Sequence, residues 1–381
     1  MSTPVPLNHE QVMQFSGRVI WKSIEFAKIG DLEILVVGNT EGDLCVYILG
    51  EDQPVLSASE LGTLCCLKVT WLSFLGEVGV VACTLEGYCH IFKLGLPFSR
   101  NSPWLPFATQ SIVMNSQCLI VEDFENHGKT CMLLGTSFGL LAYYRPTSKP
   151  DKKFAWAIPR TWNLVTDITS LTFCSSQDKN LLFIGSGDGS VLSLRFPNAE
   201  NPERASSKNL LTDICGGNNI YTIVNHEPTT GAIAAANGNG KVCILSSVHS
   251  TEKYTEVSDY YVKEISKRPI LVDFLNFPEK TLVVGASDGC IYFLSETVNN
   301  YFRYEEVPQT YCVANFERPI LGIVNSGGNI VIYRDFQFLS NKLSNFIDYS
   351  KTEVEELREI LNDKETPPEE LVMTYLYMPL R

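Results

Sequence analysis

The stretch VVGNTEGDLCVYIL, residues 36–49, decides the fold. It consists of an apolar run, a four-residue turn ending in Gly42 and a second apolar run. A glycine at the end of such a turn supplies the positive φ that lets two antiparallel strands connect tightly, so the segment reads as a β-hairpin. Within the second run, Leu44, Val46 and Ile48 alternate to one side and Cys45, Tyr47 and Leu49 to the other. Both sides are largely apolar, whereas an antiparallel sheet commonly keeps one wet face, so this hairpin needs cover front and back.

The same phrase returns six times. VACTLEGYCHIFKL (81–94), LLGTSFGLLAYYR (133–145), FIGSGDGSVLSLRF (183–196), AAANGNGKVCILSS (234–247), VVGASDGCIYFLSE (283–296) and GIVNSGGNIVIYRDF (322–336) share the pattern. The marker glycines Gly42, Gly87, Gly139, Gly189, Gly240, Gly289 and Gly328 follow one another at steps of 45, 52, 50, 51, 49 and 39 residues. A pitch of roughly 40–50 residues is that of a propeller blade, and radial stacking covers both faces of every hairpin. Upstream of each hairpin lies another apolar stretch, such as GRVIWKSIEFA, GTLCCLKVTWL or QTYCVAN, which supplies the innermost strand. The expected fold is therefore all-β, a seven-bladed β-propeller, WD40-like in pitch although the G-H and W-D dipeptides of the WD repeat are missing. An eight-bladed or split ring and a pair of β-sandwiches are the other architectures compatible with this spacing.

The expected domain plan is an N-terminal extension over 1–14, the propeller over 15–336 and a helical tail over 337–381. In the tail the period shifts to 3.6, with Leu343, Phe346, Ile347, Val354, Leu357 and Leu361 at three- and four-residue steps. Thr352 with Glu355 forms a capping box, and Thr366-Pro367 followed by Glu369 opens a second helix. The apolar stripe must lie against either the propeller or a partner. Two connections, 145–161 and 196–209, are rich in Pro, Ser and charge and read as exposed loops. The first carries Arg145, Lys149, Lys152, Lys153 and Arg160, a local basic patch open to solvent or to a docking partner.

With 381 residues, 45% of them hydrophobic and 11% aromatic, the chain has the material for a large core, which excludes intrinsic disorder. The net charge of −13 repels phosphate backbones and acidic lipid surfaces. Nucleic acid is not an expected partner. None of the twelve cysteines forms a C-x-x-C pair, and most sit in or beside apolar runs, so they are expected reduced and buried in a cytosolic protein, with no zinc site. No apolar run reaches the roughly 18 residues of a membrane span, and the first residues lack a secretory pattern, so direct membrane insertion is not expected.

Three phrases imitate chemical motifs. Gly135-Thr136-Ser137-Phe138-Gly139 matches a nucleophile elbow, but a strand-like LLAYY follows where a helix is required. His127-Gly128-Lys129-Thr130 resembles the end of a phosphate loop, yet Asp123 stands where its opening glycine belongs. Asp123, Glu125, His127 and Gly128 approximate a calcium loop, and a histidine among hard oxygen ligands marks it as degenerate. The five histidines are dispersed, and His90, inside an apolar strand, reads as a hydrogen-bonded core residue. No catalytic, cofactor or metal residue is assigned. A propeller enzyme or lectin would need carboxylates, histidines or aromatics from different blades converging at one mouth of the central channel.

Residues 15–94 and 118–145 resemble the integrin-alpha FG-GAP repeat-containing protein 2 family, whose E-L-V-V-G-[DN]-T-x-G and A-E-G-W-x-H types of phrase correspond to Glu33–Leu44 and Leu85–Phe92. The resemblance implies a subunit of the KICSTOR complex, paired with a kaptin-like propeller and a very large scaffold subunit. Such a subunit recruits the GATOR complex to the lysosomal surface, where Rag GTPases and the TOR kinase respond to nutrients. It also implies a cytoplasmic protein that reaches lysosomes through partners, with no catalytic residues. A coat or ciliary trafficking adaptor is the other scaffold reading.

Overall fold

The computed structural model describes residues 3–4, 9–99, 103–148, 154–164, 166–176, 179–196, 203–204, 220–227, 232–250, 255–264, 269–276, 280–287, 289–294, 299–304 and 308–334. Their strands form seven sheets, antiparallel apart from one short parallel pair, each built from the innermost strand outward. The first sheet runs Ile24–Ile29, Leu32–Gly38, Leu44–Ile48 and Leu56–Ala58, and the second Leu64–Leu72, Glu77–Thr84, Tyr88–Lys93 and Ala108–Ser111. The third comprises Ser116–Glu122, Cys131–Thr136, Leu140–Ser148 and Phe154–Asn163, and the fourth Ile168–Ser176, Lys179–Ser186, Val191–Arg195 and Glu203–Arg204. The fifth comprises Ile220–Glu227, Ala232–Asn237, Lys241–Ser250 and Thr255–Glu264. The sixth begins Pro269–Asn276, Lys280–Ala286, Cys290–Leu294 and Asn299–Arg303, and the seventh Thr310–Asn315, Pro319–Val324 and Asn329–Arg334. The innermost strand of each sheet touches that of the next, and Thr310–Asn315 touches Ile24–Ile29, which closes the circle.

Two features depart from seven equal blades following an N-terminal extension. Thr3–Pro4 pairs in parallel with Asn300–Tyr301, so the sixth sheet has five strands and six sheets, not seven, are regular four-stranded blades. His9–Gln14 is not an appendage either. It pairs antiparallel with Asn329–Arg334 as the outer strand of the seventh sheet, so the start of the chain completes the last blade. Side chains tie this closure to the first sheet. Tyr47 Oη donates to Gln14 O at 2.9 Å, Gln11 Nε2 donates to Glu51 O at 2.8 Å, and Arg334 pairs with Glu33 at 2.8 Å.

The two-faced hairpin of 36–49 is packed as its alternation requires. Leu44 and Val46 join one cluster with Leu64, Leu67 and Val80 of the second sheet, while Tyr47 joins another with Ile320, Ile330 and Ile332 of the seventh. Each such side chain contributes about 2 kcal/mol when fully buried, so neighbouring sheets are held mainly by apolar interdigitation.

All seven corner glycines have positive φ, from +76° at Gly139 to +96° at Gly42. A Cβ at Gly139 would stand 2.6 Å from the carbonyl oxygens of Leu164 and Thr166, so both conformation and space demand glycine there. In five of the seven corners the side chain three residues before the glycine closes the turn. Asn39 Oδ1 accepts from the N–H groups of Glu41 (3.0 Å) and Asp43 (2.8 Å), and Asn237 Oδ1 from those of Asn239 (3.1 Å) and Lys241 (2.9 Å). Thr84, Thr136 and Asn325 make equivalent bonds through their own side chains.

The expected loop at 145–161 is a correction: it is mostly strand. Leu140–Ser148 and Phe154–Asn163 pair along their length, with a bulge between Tyr143 and Arg145. Ala155, Trp156 and Trp162 are buried, and that burial outweighs the local Pro and Lys content. Within 196–209, the described residues are Phe196, which is buried, and the short strand Glu203–Arg204.

Candidate functional site

A cavity of about 400 Å³ opens in the centre of the ring, where inner strands of five sheets converge. Trp21, Lys22, Glu25, Lys68, Asp273 and Tyr311 supply its polar and aromatic lining. Lys22 Nζ donates to Thr169 O at 2.7 Å and lies 4.0 Å from the centre of the Trp21 ring, and desolvation lowers its ammonium pKa. Lys68 forms a short ion pair with Glu25, whose other oxygen accepts from Val69 N–H at 2.6 Å. Glu25 is the main reason the Lys68 pKa is raised, against a desolvation that opposes it. Glu122, exposed at the end of the inner strand Ser116–Glu122, has its carboxyl pKa raised by desolvation while Lys68 draws it down. These groups come from separate blades, Lys68 meeting Glu25 and Lys22 the Thr169 carbonyl, so no local motif announces them.

Thiols near the channel are quiescent. Burial pushes Cys118 and Cys174 up to about 12, and Cys66 is raised by its hydrogen bond to Cys65 and by burial. A thiolate nucleophile requires the opposite shift.

The candidate calcium loop is put to structural use. The Asp123 carboxylate accepts from the backbone N–H of His127 (3.1 Å) and Gly128 (2.5 Å), closing the turn on itself. Glu125 pairs with Arg145 and accepts from Tyr143 Oη at 3.3 Å, while His127 Nδ1 stands 3.5 Å from the other Glu125 oxygen. Asp123 and Glu125 therefore serve different partners. Among the described residues no group of three or more His, Cys, Asp or Glu side chains is placed to hold a metal. Between the two acids, Phe124 is fully buried against Tyr143, Phe173 and Phe196.

The other look-alikes resolve as architecture. Ser137 lies in a strand-to-strand corner, and its N–H donates to Asn115 O at 3.1 Å. Thr130 exchanges bonds with Ser73 of the second sheet, Ser73 N–H to Thr130 Oγ1 at 3.0 Å and Thr130 N–H to Ser73 Oγ at 2.8 Å, just before a strand rather than a helix. His90 is buried, with Nε2 3.0 Å from Leu61 O and Nδ1 3.0 Å from Thr109 Oγ1, and desolvation lowers its pKa. Of the basic patch, Arg145 is engaged with Glu125 and Tyr143, and Arg160 lies 5.0 Å from the Trp162 ring centre. Lys149, Lys152 and Lys153 lie outside the described residues, as do Leu343, Phe346, Ile347, Val354, Leu357 and Leu361 of the expected tail.

Large apolar side chains remain exposed on the second and third sheets. Trp71 (56%), Leu105 (70%), Met114 (60%) and Phe138 (74%) are the most open of them. Exposed apolar groups on a ring of sheets are a feature of surfaces that meet other proteins, and no sequence pattern pointed to them because Trp71 sits in the strand Leu64–Leu72 and the other three in separate connections. No described helix is long and apolar enough to cross a membrane.

Comparison with known proteins gives three findings. The family model described as integrin-alpha FG-GAP repeat-containing protein 2 matches residues 50–262. The KICSTOR complex protein ITFG2 of Bos taurus is 28% identical over 145 residues, covering 35% of this chain and 27% of that protein, and its Mus musculus counterpart is 28% identical over 144 residues, covering 35% and 32%. The aligned region thus spans about a quarter to a third of the length of those relatives. Among solved structures, BBS1N in complex with ARL6DN superposes with a TM-score of 0.62 at 12% identity, covering 87% of this chain and 97% of that one. Chaetomium thermophilum Raptor does so with a TM-score of 0.63 at 11% identity, covering 87% of this chain and 29% of that one. At such identities the likeness is one of fold alone.

Proposed function

Because the chain belongs to the integrin-alpha FG-GAP repeat-containing protein 2 family, we propose that it is a non-enzymatic propeller scaffold, a subunit of a KICSTOR-like complex. The observation carrying this reading is the family match over 50–262, together with mammalian relatives that are named as KICSTOR complex proteins. In this reading the circle of sheets acts as a rigid frame of seven blades, the five-stranded sheet counting as one of them. Its partners are a kaptin-like propeller and a large scaffold subunit, and the assembly brings a GATOR-type GTPase-activating complex to lysosomes for nutrient control of TOR signalling. The stripe of Leu343, Phe346, Ile347, Val354, Leu357 and Leu361 and the lysines Lys152 and Lys153 are proposed partner contacts. The coat or ciliary adaptor reading has only the shared fold behind it.

The Lys68–Glu25 ion pair and the raised thiol pKa values support a scaffold over a thiol catalyst. The test is crosslinking mass spectrometry on the tagged chain purified from its own cells, with lysosomal fractions compared between fed and starved cultures. The proposal expects crosslinks to a second propeller and a very large subunit, and loss of lysosomal GATOR when the chain is deleted. Recovery of coat or ciliary subunits instead would overturn it.

A further inference from the structure

In a four-stranded antiparallel blade, the turn between the second and third strands and the connection to the next blade lie at the same end. At that end, the first four sheets present one continuous rim. Leu61 N–H donates to Gly42 O at 3.1 Å, and Thr63 N–H to Glu86 Oε2 at 3.0 Å. Ile112 N–H donates to Gly87 O at 2.8 Å, Ser137 N–H to Asn115 O at 3.1 Å, Leu164 N–H to Gly139 O at 2.7 Å, and Gly187 N–H to Asp167 O at 3.0 Å. Each corner thus touches the next in order around the ring.

The side chains on this rim are sorted. Glu41, Glu60 and Glu86 are exposed at one end of the arc, and Asp167 (half-buried) and Asp188 (exposed) at the other. Between them stand Tyr88 (45% exposed), Met114 (60%) and Phe138 (74%). Met114 is seated against the Gly87 corner, where a Cβ would stand 2.9 Å from its Cγ. The corners 39–43, 58–63, 85–87, 112–115, 137–139, 164–167 and 187–190 contain no Lys, Arg or His at all. Arg18 borders the arc, its carbonyl accepting from Thr40 N–H at 2.8 Å. An exposed apolar step between two acidic stretches, on corners whose sequence carries no cation, is complementary to a segment with the inverse arrangement.

We propose that this rim docks a protein segment in which one or two large apolar side chains are flanked on both sides by Lys or Arg. The apolar anchors cover Met114 and Phe138, and the flanking cations meet Glu41, Glu60 and Glu86 on one side and Asp167 and Asp188 on the other. The acidic charge disfavours an anionic lipid surface as occupant, and a second copy of the same rim would repel it. The proposal rests on the scaffold reading and adds to it the face and the chemistry of one contact.

The test uses the purified full chain and two labelled nine-residue peptides with the same Leu-Phe-Leu centre, one flanked by Lys and Arg and the other by Glu. Fluorescence anisotropy is measured at low salt and at about 0.3 M salt, where the Debye length has shrunk to roughly 5–6 Å. Binding of the basic peptide only, weakened by salt, is expected. Phe138→Asp should weaken it at least about tenfold, as loss of a central anchor does. Glu41→Lys combined with Glu60→Lys should weaken it and flatten the salt dependence. Trp71→Ser, at the opposite end of its strand, should leave it unchanged. Melting temperatures of the variants, all altered at exposed positions, confirm that the ring is intact. Equal binding of both peptides, indifference to Phe138→Asp, or rim-dependent self-association in light scattering would overturn the proposal. If peptide binding fails while the crosslinked assembly persists, this inference falls and the scaffold reading stands; the reverse outcome separates them in the other direction.

Discussion

Phe124 gives the sharpest test of what the Asp123–Gly128 loop is for. The ring is fully buried and meets Phe173, Phe196 and Tyr143 edge-on at centroid distances of 4.9, 5.1 and 6.1 Å. These partners come from both the third and fourth sheets, and Asn180 Nδ2 also donates to Phe124 O at 2.6 Å. A buried Phe→Ala change costs about 3–5 kcal/mol, and edge-on aromatic contacts add to transfer and cavity terms, which places Phe124→Ala near ~4 kcal/mol. At about 2.1 cal/mol/K of unfolding entropy per residue over the roughly 270 described residues, that loss lowers Tm by ~7 °C. Phe124→Leu, which keeps most of the volume, should cost less than half as much. Scanning calorimetry with and without millimolar calcium reads both quantities. The account expects calcium to leave Tm in place, because Asp123 is committed to the backbone of its own turn. A loss below about 1 kcal/mol for Phe124→Ala, or a calcium-dependent rise in Tm that Asp123→Asn abolishes, would refute the view that this loop serves to insert an aromatic wedge between blades.

Two further outcomes follow from single side chains. Gln110 clamps the outer strands of the second and third sheets, its Nε2 donating to Trp156 O at 2.7 Å and its Oε1 accepting from Trp156 N–H at 2.6 Å, so Gln110→Ala should cost about 2 kcal/mol in denaturant titration. His90 is held neutral by burial, so the unfolded chain binds the extra proton and stability falls as pH drops below the unfolded value of about 6.5. The stability gap between wild type and His90→Gln should therefore narrow on acidification from about pH 7.5 to about 5.5, and a widening gap would contradict the assignment.

The ring was legible because its corner constraint is local. Positive φ at the end of a four-residue turn leaves glycine at a fixed place in every hairpin, and two-sided alternation around Tyr47 identifies sheets that stack. The polar partner three residues earlier, as in Asn39, Thr84, Thr136, Asn237 and Asn325, was an available signal that would have sharpened the register. The closing strand His9–Gln14 escaped because its one apolar pair, Val12-Met13, does not alternate, and it becomes a strand only by pairing with residues more than 300 positions away. Residues 145–161 misled for the reverse reason. Pro146 and its neighbouring cations signal a loop, but long-range burial of Trp156 and Trp162 holds the backbone extended. Channel charges such as Lys22, Glu25 and Asp273, and the apolar step of Met114 and Phe138, depend on which blades stand side by side. Such juxtaposition follows from closure of the ring and is invisible to any short window.

The claim on which the functional account depends is that this circle of blades exists to hold another protein. Native mass spectrometry of the purified chain mixed with the kaptin-like propeller of its own organism tests it directly. The account predicts a discrete heteromeric species that survives dilution to nanomolar concentration. A spectrum containing only the unassociated chain, under conditions where both proteins are folded, would contradict it.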